Sequence, residues 1–180
     1  MKKLFLLFVS ISLCITLCAC ASEGKSESSE SAVFSVADYP IQVTCPFGWW
    51  QKEASNFDLQ CESKDSDIIM SIFCYYDIDL SEDMTRQELF ESQNQSILDM
   101  RENVSLVEEM SESQYEDKDI TSVLYSAEYE DGKNYYYMNL VSFNSGDCFA
   151  WVLFTGMPSA INESMDTIDN ILKSINLTNE

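Results

Sequence analysis

The chain predicts an α+β domain: an antiparallel β-sheet flanked by two main helices. Three observations support this. Short alternating or continuous apolar runs come first, one amphipathic segment interrupts them, and a meander of three apolar runs then leads into a second amphipathic segment. Segregated strands and helices, rather than strict strand–helix alternation, favour an antiparallel sheet covered by helices. The hydrophobic fraction of 46% in 180 residues is enough for one real core.

The elements follow in order. Ile41, Val43 and Cys45 alternate with polar residues until Pro46-Phe47-Gly48-Trp49 breaks the strand. Phe57, Leu59 and Cys61 alternate again. Ile68 to Tyr76 is nearly continuous in apolar residues, as in a central strand. Met84 to Met100 reads as a helix. Thr85 and Glu88 have the spacing of a capping box, and Leu89, Phe90, Ile97 and Met100 share one broad face. Thr121 to Tyr129, Asn134 to Phe143 and Cys148 to Thr155 read as three strands, with Asp131-Gly132 and Ser145-Gly146 as hairpin turns between them. Pro158 and Ser159 open the second helix, whose stripe is Ile161, Met165, Ile168, Ile171, Leu172 and Ile175.

The N-terminus is an address. Met1-Lys2-Lys3 precedes the apolar run Leu4 to Leu17, and Leu17-Cys18-Ala19-Cys20 follows. A basic head, a short apolar core and a small residue before the cut describe an export signal. Leu17 at −3, Ala19 at −1 and Cys20 at +1 resemble a bacterial lipobox, although Cys18 at −2 is unusual. The resemblance implies cleavage after Ala19 and a diacylglyceryl group on the Cys20 sulfur. Cys18 as the acceptor would put bulky Leu17 at −1. A retained membrane helix would want about 20 apolar residues. Two acyl chains hold a protein to a bilayer firmly, so the membrane becomes a partner through Cys20 alone. The expected division is 1–19 signal, 20–32 lipidated cysteine and Ser/Glu-rich tether, and 33–177 folded domain.

Composition excludes several function classes. The net charge is −21, and loss of Lys2 and Lys3 with the signal makes it −23. Binding nucleic acid requires clustered Lys and Arg, so nucleic acid is not a partner. Scattered acids keep a tethered domain soluble; the sharper alternative is attraction of cations or a basic partner. No His is present, which removes Ser-His-Asp and Cys-His nucleophile systems and His-based metal sites. None of the five Gly lies in a phosphate-cradling loop or a nucleophile elbow. Acid pairs such as Glu108-Glu109, Glu116-Asp117 and Glu128/Glu130 read as solvated surface rather than glycosidase acids. No catalytic residue and no cofactor is expected.

Cys45, Cys61, Cys74 and Cys148 lie beyond the lipobox. Two disulfides in any of three connectivities are allowed, but placement inside apolar runs also suits buried free thiols. Asp77, Asp79, Ser81 and Glu88 are the candidate cation ligands: counted from Asp77 they fall at positions 1, 3, 5 and 12 of an EF-hand-like loop. Glu82 stands where that loop's sharp turn needs Gly. The competing reading is an acidic strand-to-helix connection with Glu88 in the capping box. Trp49-Trp50, Tyr75-Tyr76, Tyr135 to Tyr137 and Trp151 divide between core and outward rings, the latter candidates for a protein-binding patch.

Val43-Thr-Cys-Pro46-Phe-Gly48-Trp49 resembles the opening of PsbP-like, or DcrB-like, domains. Asp79-Leu-Ser-Glu-Asp-Met-Thr85, Arg101-Glu-Asn-Val104, Tyr135-Tyr-Tyr and Phe149 to Pro158 resemble a group of small Gram-positive lipoproteins. The resemblance spans most of 33–177. It implies a PsbP-like α/β/α sandwich and a non-enzymatic binding or accessory module, with an envelope protein as partner. A small-ligand or calcium-binding lipoprotein is the alternative.

Overall fold

The computed structural model describes residues 31–53, 56–129 and 132–178. The lipobox, Cys20 and most of the tether lie outside the described residues.

The strands are β1 (Ala32–Ser35), β2 (Ile41–Cys45), β3 (Trp49–Gln51), β4 (Leu59–Ser63), β5 (Ile69–Tyr76), β6 (Glu102–Tyr115), β7 (Lys118–Tyr129), β8 (Gly132–Phe143), β9 (Cys148–Gly156) and β10 (Asn176–Leu177). The helices are α1 (Arg86–Leu98), α2 (Pro158–Glu163) and α3 (Met165–Ser174). Seven strands form one antiparallel sheet in the order β3-β4-β5-β9-β8-β7-β6, and β1-β2-β10 form a small second sheet. Ala32, placed in the tether by sequence, pairs with Cys45 and so belongs to the domain.

Period-2 alternation sends β5, β7, β8 and β9 to two cores. Met70, Ile72 and Cys74 of β5 stand opposite Phe154, Val152 and Ala150 of β9 on one face. The small sheet and the α3 stripe Ile168, Ile171 and Leu172 close that face. Phe73, opposite Trp151, and Met138, opposite Leu153, point to the other face. Phe90 and Leu98 of α1 cover it. The result is the expected sheet with helices on both faces. Tyr136 and Tyr137 are therefore both buried, since both sides of β8 are covered at these positions.

Buried polar groups are matched inside the domain, and no buried side-chain N or O among the described residues lacks a partner. Asn139 accepts from the Ser122 hydroxyl (2.7 Å) and donates to the carbonyls of Tyr137 (3.1 Å) and Val152 (3.4 Å). Lys118, 3% exposed, donates to the Ile175 carbonyl at 2.6 Å and to Asn176 Oδ1 at 2.8 Å, tying β10 to β7. Cys45, Cys61, Cys74 and Cys148 are buried and free. Burial pushes the Cys74 and Cys148 thiols up, and a hydrogen bond with Cys61 does most to raise Cys45.

Beyond the short strands β1, β3 and β10, to which the sequence reading assigned no element, two larger elements depart from it. The second helix is two helices, broken at Ser164 (φ −107°, ψ 6°). The break lets Ile161 and the α3 stripe reach the same core from different axes. β6, where the sequence reading assigned no element, is the longest strand at 14 residues. Its residues are too polar and too weakly alternating to announce a strand, because one neighbour, β7, holds it and no core covers it. Gly48 sits at φ 93° in the Pro46–Trp49 turn, where an added Cβ would come within 3.1 Å of Asp65 Oδ2. That requirement explains Gly in the Pro-x-Gly-Trp pattern.

Candidate interaction surface

The EF-hand-like positions do not converge. Asp77 opens a single 3-10 turn after β5, and Arg86 at the start of α1 clamps it with Nε to Oδ1 at 2.7 Å and Nη2 to Oδ2 at 2.6 Å. This two-point clamp holds the Asp77 carboxyl below its usual range. The same guanidinium lies 5.1 Å from the Phe149 ring centroid. Asp79 accepts from the Tyr76 N–H at 3.2 Å, folding its own turn. Glu88 accepts from the Thr85 N–H at 2.7 Å while Thr85 Oγ1 accepts from the Glu88 N–H at 3.2 Å, the reciprocal capping box that the spacing predicts. The backbone N–H of Thr85 does most to lower the Glu88 carboxyl. Ser81 is exposed, and its carbonyl accepts from the Met84 N–H at 2.9 Å. Among the described residues no three His, Cys, Asp or Glu side chains gather as a metal cage.

The aromatic candidates divide by strand face. Trp49 and Trp151 are core, with Trp49 edge-on to Phe154 and the Trp151 indole donating to Asn94 Oδ1 at 2.8 Å. Trp50 is half-buried under Lys64, 5.1 Å from its ring. Tyr76 stacks on Tyr39 at 5.0 Å, and Tyr75 stacks on Phe149 at 5.4 Å. Burial and the nearby Asp58 push the Tyr75 hydroxyl up to about 12. These rings pack against one another and do not form a continuous outward platform.

The open surface lies elsewhere. β6 ends the seven-stranded sheet, and every residue from Glu102 to Gln114 is exposed. Leu106 and Met110, 52% and 43% exposed, stand among the carboxylates Glu102, Glu108, Glu109 and Glu112. The ladder to β7 slips at three places between Glu102 and Ser111, then runs without a break from Ser111 to Tyr115. α1 stops short of this edge, touching it through Gln87 Nε2 to Met110 Sδ at 3.2 Å. The space between them is a groove of about 590 Å³ lined by Arg86, Gln87, Glu112, Gln114 and Asp119 among others. Sequence reasoning missed this strand. The structure joins it to β7 through the two-residue connection Glu116-Asp117, with Glu116 at φ 34°.

No family model and no curated protein matches the chain by sequence. Solved structures do share the fold. Cyanobacterial PsbP (CyanoP) from Synechocystis superposes with a TM-score of 0.61 at 9% identity, covering 83% of this chain and 93% of that one. LpqN of Mycobacterium tuberculosis gives 0.59 at 10% identity over 85% and 88% of the two chains. The Saccharomyces cerevisiae Ran-binding protein Mog1p gives 0.56 at 9% identity over 84% and 97%. At these identities the likeness concerns architecture: the chain has a PsbP-like α+β fold.

Proposed function

We propose that this protein is an extracytoplasmic lipoprotein, anchored through Cys20, that works as a non-enzymatic accessory module binding another protein of the cell envelope. The observation that carries the binding reading is where the polar chemistry lies. The candidate carboxylates and the buried polar groups are partnered within the domain, while a 14-residue strand stands open at the sheet edge. Open backbone and a mixed apolar–acidic rim suit recognition of a chain; a reaction needs convergent groups in a cleft. The absence of His from the sequence points the same way.

The anchor rests on Leu17-Cys18-Ala19-Cys20 and the Ser/Glu-rich stretch after it. No helix among the described residues is long and apolar enough to cross a membrane. Two proteins of this fold lend the reading support, one described as involved in cell envelope biogenesis and the other as Ran-binding. Mass spectrometry of the protein extracted from membranes tests the anchor. The expected N-terminus is Cys20 carrying a diacylglyceryl mass, and Cys20→Ser should leave the membrane fraction or remain unprocessed. A Cys20→Ser protein that is processed and membrane-bound as before would refute it.

A further inference from the structure

β6 presents a full row of backbone groups on the side away from β7, and among the described residues no other strand pairs with it. Such an edge is a template for another strand. Its side chains restrict which one. Self-pairing about the middle of β6 sets Glu108 against Glu108 or Glu109 of a second copy, and like charges directly opposite are destabilising. Pairing with the opposite edge of the sheet offers only β3, three residues long. The carboxylates that reject a second copy are complementary to a cationic strand.

The groove beside the regular Ser111–Tyr115 ladder sharpens this complementarity. Glu112 and Asp119 face it together with the amides of Gln87 and Gln114. Arg86, the cation of its lining, is already clamped by Asp77 at 2.6 Å. Lys or Arg in an added strand would reach these carboxylates, while alternate apolar side chains would lie on Leu106 and Met110. Ala32 lies beside β3, lining one hollow with Trp49 and Trp50. Six strand spacings of roughly 4.8 Å then put β6 about 29 Å from that side of the sheet.

We propose that β6 is a docking strand for a basic, extended segment of a protein partner. That segment adds to the sheet along Ser111–Tyr115 and places a Lys or Arg side chain between Glu112 and Asp119. The proposal rests on the accessory-module reading and names the partner's chemistry.

The test uses the full chain in detergent micelles and a labelled ten-residue peptide alternating Lys and Val. Saturable binding is expected. It should weaken at least tenfold in the Glu112→Gln/Asp119→Asn double variant, because truncating one side of a close charge pair costs at least one decade of affinity. Methylating one alternate set of the peptide's backbone amides should weaken it similarly, with the charge unchanged. A peptide alternating Glu and Val should not bind, and Lys64→Ala at the far edge should change nothing. Unaltered thermal unfolding of the double variant shows that it is folded. Absence of binding at millimolar peptide would overturn the proposal. So would equal binding of both methylated peptides, which is charge adsorption without strand pairing, or dimerisation through β6. Because peptide binding needs no anchor, its failure beside an intact Cys20 lipid refutes β6 docking and leaves the lipoprotein reading standing.

Discussion

Replacing Asn94 tests how α1 is fixed over the sheet, and therefore what shapes the groove beside β6. The helix buries Phe90, Asn94 and Leu98, one stripe at four-residue intervals. The Asn94 carbonyl accepts from the Trp151 indole N–H at 2.8 Å, with the two residues 5% and 1% exposed. Asn94→Ala leaves that N–H buried without a partner, which costs about 1–3 kcal/mol. The near-complete burial of both groups argues for the middle of the range or above, about 2 kcal/mol. For a domain of this size that lowers Tm by about 4–8 °C. Trp151→Phe removes the donor together with some packing, and the double variant then lacks both partners. Urea unfolding of all four proteins, followed by circular dichroism, gives the cycle, with an expected coupling of about 1–2 kcal/mol between the sites. Additive single effects would refute the argument. They would mean that water relieves the indole and that α1 is held by apolar packing alone.

Other consequences are direct. Lys118→Met should destabilise by about 2 kcal/mol, since it removes charge-assisted bonds to Ile175 and Asn176, and faster hydrogen exchange confined to β10 and its neighbours would locate the effect. Arg86→Leu should cost below about 1 kcal/mol near neutral pH, because the clamp is partly exposed. Asp77 has a depressed folded-state pKa, so its contribution is present above the unfolded value of about 3.9 and lost as pH falls through the folded value. The stability difference between wild type and Arg86→Leu should therefore shrink below about pH 4, and a constant difference down to pH 2 would contradict the clamp. Cys45, Cys61, Cys74 and Cys148 should resist maleimide in the folded protein and all react in denaturant, because all four thiols are buried out of the reagent's reach.

What was legible in the sequence followed burial. β5 and β9 carry near-continuous apolar runs and β7 and β8 carry apolar residues on both faces, because both faces of the sheet are covered, and each was placed to within three residues. The Thr85–Glu88 box marked the start of α1 because its chemistry is local. β6 was not legible. A strand held by one neighbour and exposed on its flanks needs no apolar period, so ENVSLVEEMSESQY reads as connection until β7 demands a partner. The split between α2 and α3 was hidden for the opposite reason: Ile161 and the later stripe reach one core, so the apolar pattern continues through a break in the backbone. In the candidate site, sequence spacing put Asp77, Asp79, Ser81 and Glu88 on one loop. It could not show that Arg86 and Thr85 would engage two of those carboxylates.

The proposed role places this domain in the service of a partner at the membrane surface. In-cell crosslinking of the tagged, anchored chain, with a photoreactive residue at position 113 of β6 and Cys20→Ser as control, tests it most directly. One or two envelope proteins are expected in near-stoichiometric yield, joined to β6 through a Lys- or Arg-rich extended segment and lost without the anchor. Recovery of the chain alone, or of the same partners from the unanchored control, would contradict it.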